Sequence, residues 1–188
     1  MTESQTDTPA AFAATTRPQE YVADVSFEAL GLHPDVLRAL AERNYTHPTP
    51  VQARAFGPAM AGKDLIVRSK TGTGKTAAFG LPLLHKLDPA GKDVKALILC
   101  PTRELALQVT AELSDLGKHR GTKVATIYGG ASMKQQEDAL AAGVHVVVGT
   151  PGRVMDFIRR GVLKLGACSH AVLDEADEML NQGFYEDV

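Results

Sequence analysis

No tryptophan occurs in this sequence, and aromatic residues make up only 5% of its 188 positions. Aliphatic side chains must therefore build the core, for which an apolar share of 44% is enough. Cysteine is scarce too. Cys100 and Cys168 stand far apart, each at the edge of an apolar run, and no C-x-x-C pair exists. That spacing excludes the usual zinc arrangements and predicts two buried free thiols in a reducing compartment. No apolar run reaches the roughly 18 residues that a membrane-spanning helix needs, so no membrane partner is expected. The N-terminus has neither a basic start nor an apolar signal core, which makes a cytoplasmic location the expectation. An excess of positive charge is missing as well: the formal net charge is −2. A chain so balanced is not held to nucleic acid by bulk charge. Any such partner must be gripped by local groups, namely loop amides, helix N-termini and a few arginines.

The length suits one domain. Residues 1–25 are rich in Thr, Ala and Pro and have no sustained period, so a flexible tail is expected there. From Ser26 onward the pattern is regular. Pro34 opens a helix that runs to about Asn44, and a second helix follows Pro50. Short runs of Val, Ile and Leu then predict strands at Asp64–Arg68, Lys95–Cys100, Val124–Tyr128, His145–Val148 and His170–Asp174. Helices are expected between them, near 75–87, 103–118, 132–142 and 152–160. Along 103–118, Leu105, Val109, Leu113 and Leu116 fall on one stripe. Such alternation of strand and helix means an α/β fold with an open, mainly parallel sheet, whose ligands bind beyond the carboxyl ends of the strands.

The segments that follow the strands are unlike ordinary connections. After the first comes SKTGTGKT, Ser69–Thr76, leading straight into a helix. Gly72 and Gly74 let backbone amides converge on a phosphate, and the helix N-terminus adds positive potential. Lys75 can reach the terminal phosphates of a nucleotide, and the Thr76 hydroxyl can join a Mg²⁺ shell. Ser69 stands where the strict phosphate-loop pattern has its first Gly. After the fifth strand comes DEAD, Asp174–Asp177. Asp174 is placed to hold Mg²⁺, partly through water, and Glu175 to orient or deprotonate an attacking water. Taken alone, these acids read equally well as a helix start. PTRELA (Pro101–Ala106), Gly129–Gly130 and TPGR (Thr150–Arg153) follow the three strands between. Singly they are ordinary turns and caps. Jointly they make a track for the phosphates of an extended strand. With no aromatic platform in it, the track suits backbone rather than bases. The six histidines, His33, His47, His85, His119, His145 and His170, form no ligand cluster in sequence, and His145 and His170 read as capping or surface residues.

Over residues 26–188 the sequence resembles the N-terminal RecA-like domain of DEAD-box ATP-dependent RNA helicases, in particular the bacterial cold-shock members. SKTGTGKT, PTRELA, GG, TPGR and DEAD stand in the family's order. The resemblance implies a RecA-like P-loop domain that uses ATP and Mg²⁺ and binds RNA by its backbone without reading sequence. It implies that Thr71, Gly72, Thr73, Gly74, Lys75 and Thr76 hold the phosphates, that Thr76 and Asp174 serve the metal, and that Lys75, Asp174 and Glu175 carry catalysis. NYTHPTPVQ, Asn44–Gln52, matches the family's adenine element. By that match Gln52 reads the base edge, Tyr45 is the aromatic within the element, and Phe27 is the upstream aromatic that covers the base. Asn44 replaces the family's usual Gly. Pro101, Thr102, Arg103, Gly129, Gly130, Thr150, Gly152 and Arg153 match RNA-contacting positions, and Asp177 matches the residue that couples ATP state to a downstream Ser-Ala-Thr motif.

The Ser-Ala-Thr strand, known as motif III, is not reached before Val188, and neither is the second RecA-like domain, which in the family supplies arginine fingers. The resemblance therefore implies an incomplete domain. The strand after DEAD would belong between 64–68 and 170–174, and these residues alone would be weakly active and poorly stable. Two other readings stay open: a DNA-dependent helicase core, and a non-enzymatic ATP-binding module acting through protein partners.

Overall fold

The computed structural model describes residues 22–188, so most of the tail expected at 1–25 lies outside the described residues. Each helix begins where the local chemistry favours a start. Helix α1 (Pro34–Glu42) has Pro at its first position, and the His33 imidazole accepts a hydrogen bond from the Asp35 amide at 3.2 Å. Helix α2 (Pro50–Met60) also starts on Pro. Helix α3 (Lys75–Lys86) starts from Gly74. In α4 (Arg103–Gly117) the Thr102 hydroxyl accepts from the Leu105 amide at 3.2 Å. Helices α5 (Met133–Ala141), α6 (Pro151–Arg159) and the short α7 (Ala176–Asn181) complete the set.

Four strands, β1 (Ala96–Leu99), β2 (Val124–Ile127), β3 (Val146–Gly149) and β4 (His170–Leu173), form one sheet in the order β2-β3-β1-β4. All pairings are parallel, with Ala96 opposite both Val146 and His170, and Val124 opposite Val146. The alternation of side chains along these strands feeds two cores. On one face Ala96, Ile98, Val146 and Val148 pack with Val36, Leu40, Phe56, Leu81, Leu84, Val109 and Leu113 of α1–α4. On the other, Ala125, Ile127 and Val147 pack with Val154, Phe157 and Met179 of α6 and α7. Burying each large aliphatic side chain contributes about 1.5–3 kcal/mol. With helices on both faces, the carboxyl ends of all four strands share one edge.

Three expectations need correction. The strand expected at Asp64–Arg68 does not form. Residues 63–68 carry no secondary structure, and Ile66 is 98% exposed. Among the described residues no strand lies beside this run, so pairing offers its backbone nothing that water does not. The β4 edge of the sheet is similarly bare, with Leu173 half exposed. His145 is not a surface residue. It is buried, its Nδ1 accepts from the Lys123 amide at 3.0 Å, and its Nε2 lies 3.3 Å from the Gly91 carbonyl oxygen, stitching three segments together. Cys100 is fully buried as expected, but Cys168 is only partly so, and its thiol donates to the His170 carbonyl.

This packing sets a contrast that can be measured. Leu113→Ala should cost about 2–5 kcal/mol, since its side chain is enclosed between α3 and α4. Ile66→Ala should change stability by no more than about 0.5 kcal/mol. Urea denaturation of the domain reads both, and comparable losses would place 64–68 in the core after all.

Candidate nucleotide and nucleic-acid site

The phosphate loop begins where the 63–68 run ends. Gly72 and Gly74 both adopt positive φ, 78° and 87°, which L side chains rarely do. Gly74 is required for space as well: a Cβ there would sit 2.4 Å from Gln52 Nε2. Thr73 is buried, its hydroxyl bonded to Ser69 Oγ and donating to the Lys70 carbonyl at 2.8 Å. Lys75 donates to the Ser69 carbonyl at 2.9 Å. Ser69, where the strict loop pattern has Gly, thus closes the loop on itself through both its hydroxyl and its carbonyl. Thr71 and Gly72 are exposed, and Thr76 is partly exposed at the start of α3.

Gln52 is buried, and its carboxamide is committed. Oε1 accepts from the Thr49 amide at 2.9 Å, and Nε2 donates to the Gly74 carbonyl at 3.1 Å. The adenine element expected from sequence is therefore tied directly to the phosphate loop. Asn44, which replaces a Gly of the resembled family, has φ 56°. Asn is the side chain that tolerates this left-handed turn best, so the turn survives the replacement. Tyr45 lies partly buried under the Arg43 guanidinium. Phe27 is 3% exposed and belongs to the main core, its amide donating to the Thr46 carbonyl at 3.1 Å. Its ring is thus part of the packing that supports the element.

Strand β4 ends directly in the acidic turn. The Asp174 amide donates to the Leu99 carbonyl at 2.9 Å, which fixes the residue at the end of β1. Its carboxyl is raised above the ordinary 3.8, first by burial and then by the Glu175 charge, with Lys75 and the Glu175 amide acting in the opposite direction. Glu175 has φ 53° and ψ 50°, a left-handed conformation that costs a non-glycine residue of order 1–2 kcal/mol. Cys100 lies behind these acids, its thiol pushed up to about 12 by burial, then by Asp174 and Glu175. It is inert as a nucleophile at neutral pH.

The remaining loops lie along the same edge of the sheet. Pro101 is buried, Thr102 caps α4, and Arg103 is exposed with its guanidinium 5.0 Å from the Tyr128 ring centre. Gly129 and Gly130 follow β2 as an exposed turn. Thr150 and Gly152 stand at the start of α6, where Arg153 lies over the Phe157 ring. The buried Arg153 Nη1 has no hydrogen-bond partner among the described residues. Asp177 is exposed in the first turn of α7. One further residue, Gln136, escaped the sequence reading. It is buried in α5 and bonded to Tyr128. The available signal was its position on the stripe of Met133 and Leu140, where an apolar residue is normal.

A parallel sheet with a glycine-rich loop entering α3 and an acidic turn after β4 defines a RecA-like P-loop domain. A solved DEAD box protein from the hyperthermophile Methanococcus jannaschii superposes with a TM-score of 0.81 at 40% identity, over 86% of this chain and 44% of that one. The family profile of DEAD/DEAH box helicases matches residues 49–188, and the chain belongs to that family. Among its relatives, the DEAD-box ATP-dependent RNA helicase CshA of Bacillus cereus is 47% identical over 163 residues, which is 87% of this chain and 31% of that protein. The protein of the same name from Streptococcus pneumoniae is 46% identical over 164 residues, again 87% and 31%. The chain thus spans about a third of the length of these relatives.

The buried acid yields a prediction with a definite sign. Because the folded carboxyl binds its proton more tightly than the unfolded one, the charged form burdens the native state. That burden is absent below about 3.8 and complete above the raised folded value. Asp174→Asn should therefore raise the melting temperature at neutral pH, without Mg²⁺ or nucleotide, and the advantage should shrink as pH falls through that window. A melting temperature lowered at neutral pH would mean that the carboxylate is stabilised by its surroundings.

Proposed function

We propose that this domain is the ATP-binding half of an ATP-dependent RNA helicase. In this reading it binds ATP with Mg²⁺ and the RNA backbone, while hydrolysis and unwinding require a second RecA-like domain of the same protein. The observation that carries the reading is the glycine-rich loop entering α3, with Gly72 and Gly74 at positive φ and Gln52 tying it to the Thr49 turn, on a sheet whose β4 runs directly into the acidic turn. The names of the relatives agree with it.

The chain's own residues divide the work. The amides of residues 71–76 and the N-terminus of α3 receive the phosphates. Lys75 leaves the Ser69 carbonyl to meet them, exchanging a neutral acceptor for a charged one. The Thr76 hydroxyl and the Asp174 carboxylate would hold Mg²⁺. The fit is chemical: a buried carboxylate opposed by its own desolvation and by Glu175 gains from a divalent cation. When bound, the ion neutralises phosphate charge. Glu175 is held in its strained turn to orient or deprotonate the attacking water. Gln52 reads the adenine edge by giving up its bond to Gly74, so base and phosphate binding share one side chain. Arg103, Arg153, Thr102, Thr150, Pro101, Gly129, Gly130 and Gly152 line the RNA backbone, and the unpartnered Arg153 Nη1 suits a phosphate oxygen. Asp177 relays the nucleotide state to the Ser-Ala-Thr strand. In this proposal that strand fills the gap beside β4 and brings 64–68 into the sheet.

Two variants of the full-length protein test the site. Lys75→Ala should abolish ATP turnover with folding retained. Glu175→Gln should keep ATP binding while slowing hydrolysis by about 10²–10⁴. RNA, and not single-stranded DNA, should stimulate the wild type. Unchanged turnover in a folded Lys75→Ala protein would overturn the proposal, and equal stimulation by DNA would redirect it to a DNA-dependent helicase core.

A further inference from the structure

Helix α5 is mostly polar, and Gln136 is its one buried residue among those described. A glutamine enclosed on the stripe of Met133 and Leu140 needs a reason, since an unbonded buried amide is costly. The reason lies at the end of β2. The ladder between β2 and β3 stops at Ile127 and Gly149, so the Tyr128 peptide groups lie past the last paired residue. Gln136 supplies both missing partners. Its Oε1 accepts from the Tyr128 amide at 3.0 Å, and its Nε2 donates to the Tyr128 carbonyl at 3.1 Å. The side chain acts as one more strand residue, extending the pairing of β2 by a single position.

What this grip holds is more than Tyr128. The next two residues are Gly129 and Gly130, and neither would meet any atom within 4 Å if given a Cβ. Gly130 needs glycine for its φ of 81°, but packing explains nothing at Gly129. An open glycine without positive φ suits close approach by a ligand backbone. On the other side, the Tyr128 ring lies 5.0 Å from the guanidinium of Arg103. Arg103 follows β1, and β1 and β2 are separated by β3 in the sheet. Tyr128 thus bridges two loops that the sheet itself keeps apart.

We infer that Gln136 is a positioning residue for backbone binding: by clamping the Tyr128 peptide it sets the Gly129–Gly130 turn and, through the Tyr128 ring, the Arg103 guanidinium as one phosphate-binding unit. This rests on the RNA reading above. Without the clamp, the turn and the arginine vary independently, and ordering them falls to the bound strand.

The test uses the full-length protein and an unstructured RNA. Gln136→Ala should raise the RNA concentration for half-maximal ATPase stimulation about tenfold, the equivalent of one or two lost hydrogen bonds. The kcat at saturating RNA and the KM for ATP should stay within about twofold. The slope of log affinity against log salt should flatten by about one, as for a lost phosphate contact. Tyr128→Leu should reproduce the affinity loss, Tyr128→Phe should not because it keeps a ring for the guanidinium, and Tyr128→Leu with Gln136→Ala should be no worse than either alone. Wild-type RNA affinity in Gln136→Ala would overturn the inference. So would parallel losses in kcat and ATP KM, which mark a general structural role. If wild type shows no RNA stimulation at all, the helicase reading fails and this inference with it.

Discussion

Strand β1 is held on both sides by parallel neighbours, β3 through Val146–Gly149 and β4 through His170–Leu173. That double pairing governs the rest of the molecule. Parallel strands cannot be joined by tight turns, so each connection must cross a face of the sheet as a helix. The three crossings are α4, α5 and α6, α7 follows the last strand, and each of these helices starts at the carboxyl edge. Asp174 reaches the site only because its amide continues the ladder to the Leu99 carbonyl at 2.9 Å. PTRELA, GG, TPGR and DEAD, scattered through the second half of the sequence, become neighbours for the same reason.

That edge is also where the chain departs from its least costly arrangement. Asp174 is a buried carboxylate facing another acid, and Glu175 holds a backbone conformation suited to glycine. Gly74 leaves no room for a side chain because Gln52 occupies the space. Such departures, gathered on one edge of an otherwise well-packed domain, are the kind that functional sites concentrate. The core behind them is conventional, with Ile98, Val146 and Val148 fully buried.

Much of this was legible in the sequence where local chemistry and packing agree. Pro34 and Pro50 mark helix starts that the structure keeps, and the helix expected near 103–118 forms as α4. The stripe of Val109, Leu113 and Leu116 is buried as its spacing implies. The four strands that found partners match their apolar runs. What was not legible depended on neighbours. The run LIV at 65–67 has the composition of a buried strand, but composition cannot supply a ladder, and Ile66 stands in water. His145 looked peripheral because it flanks a strand, yet both ring nitrogens face backbone groups of other segments. Gln136 was missed because its place on the stripe of Met133 and Leu140 hints at burial but says nothing of the strand end that it completes. The commitment of the Gln52 amide to Gly74 was equally invisible, since it joins residues of two separate elements.

The central claim is that the phosphate loop and the acidic turn act as one nucleotide site at the carboxyl edge of the sheet. Titrating the isotopically labelled full-length protein with ADP and Mg²⁺, while following backbone amide resonances, tests it most directly. The account predicts that the amides of residues 71–76, Gln52, Asp174 and Glu175 shift together and yield a single dissociation constant. Shifts confined to 71–76, with Asp174 and Glu175 unmoved at saturation, would contradict it.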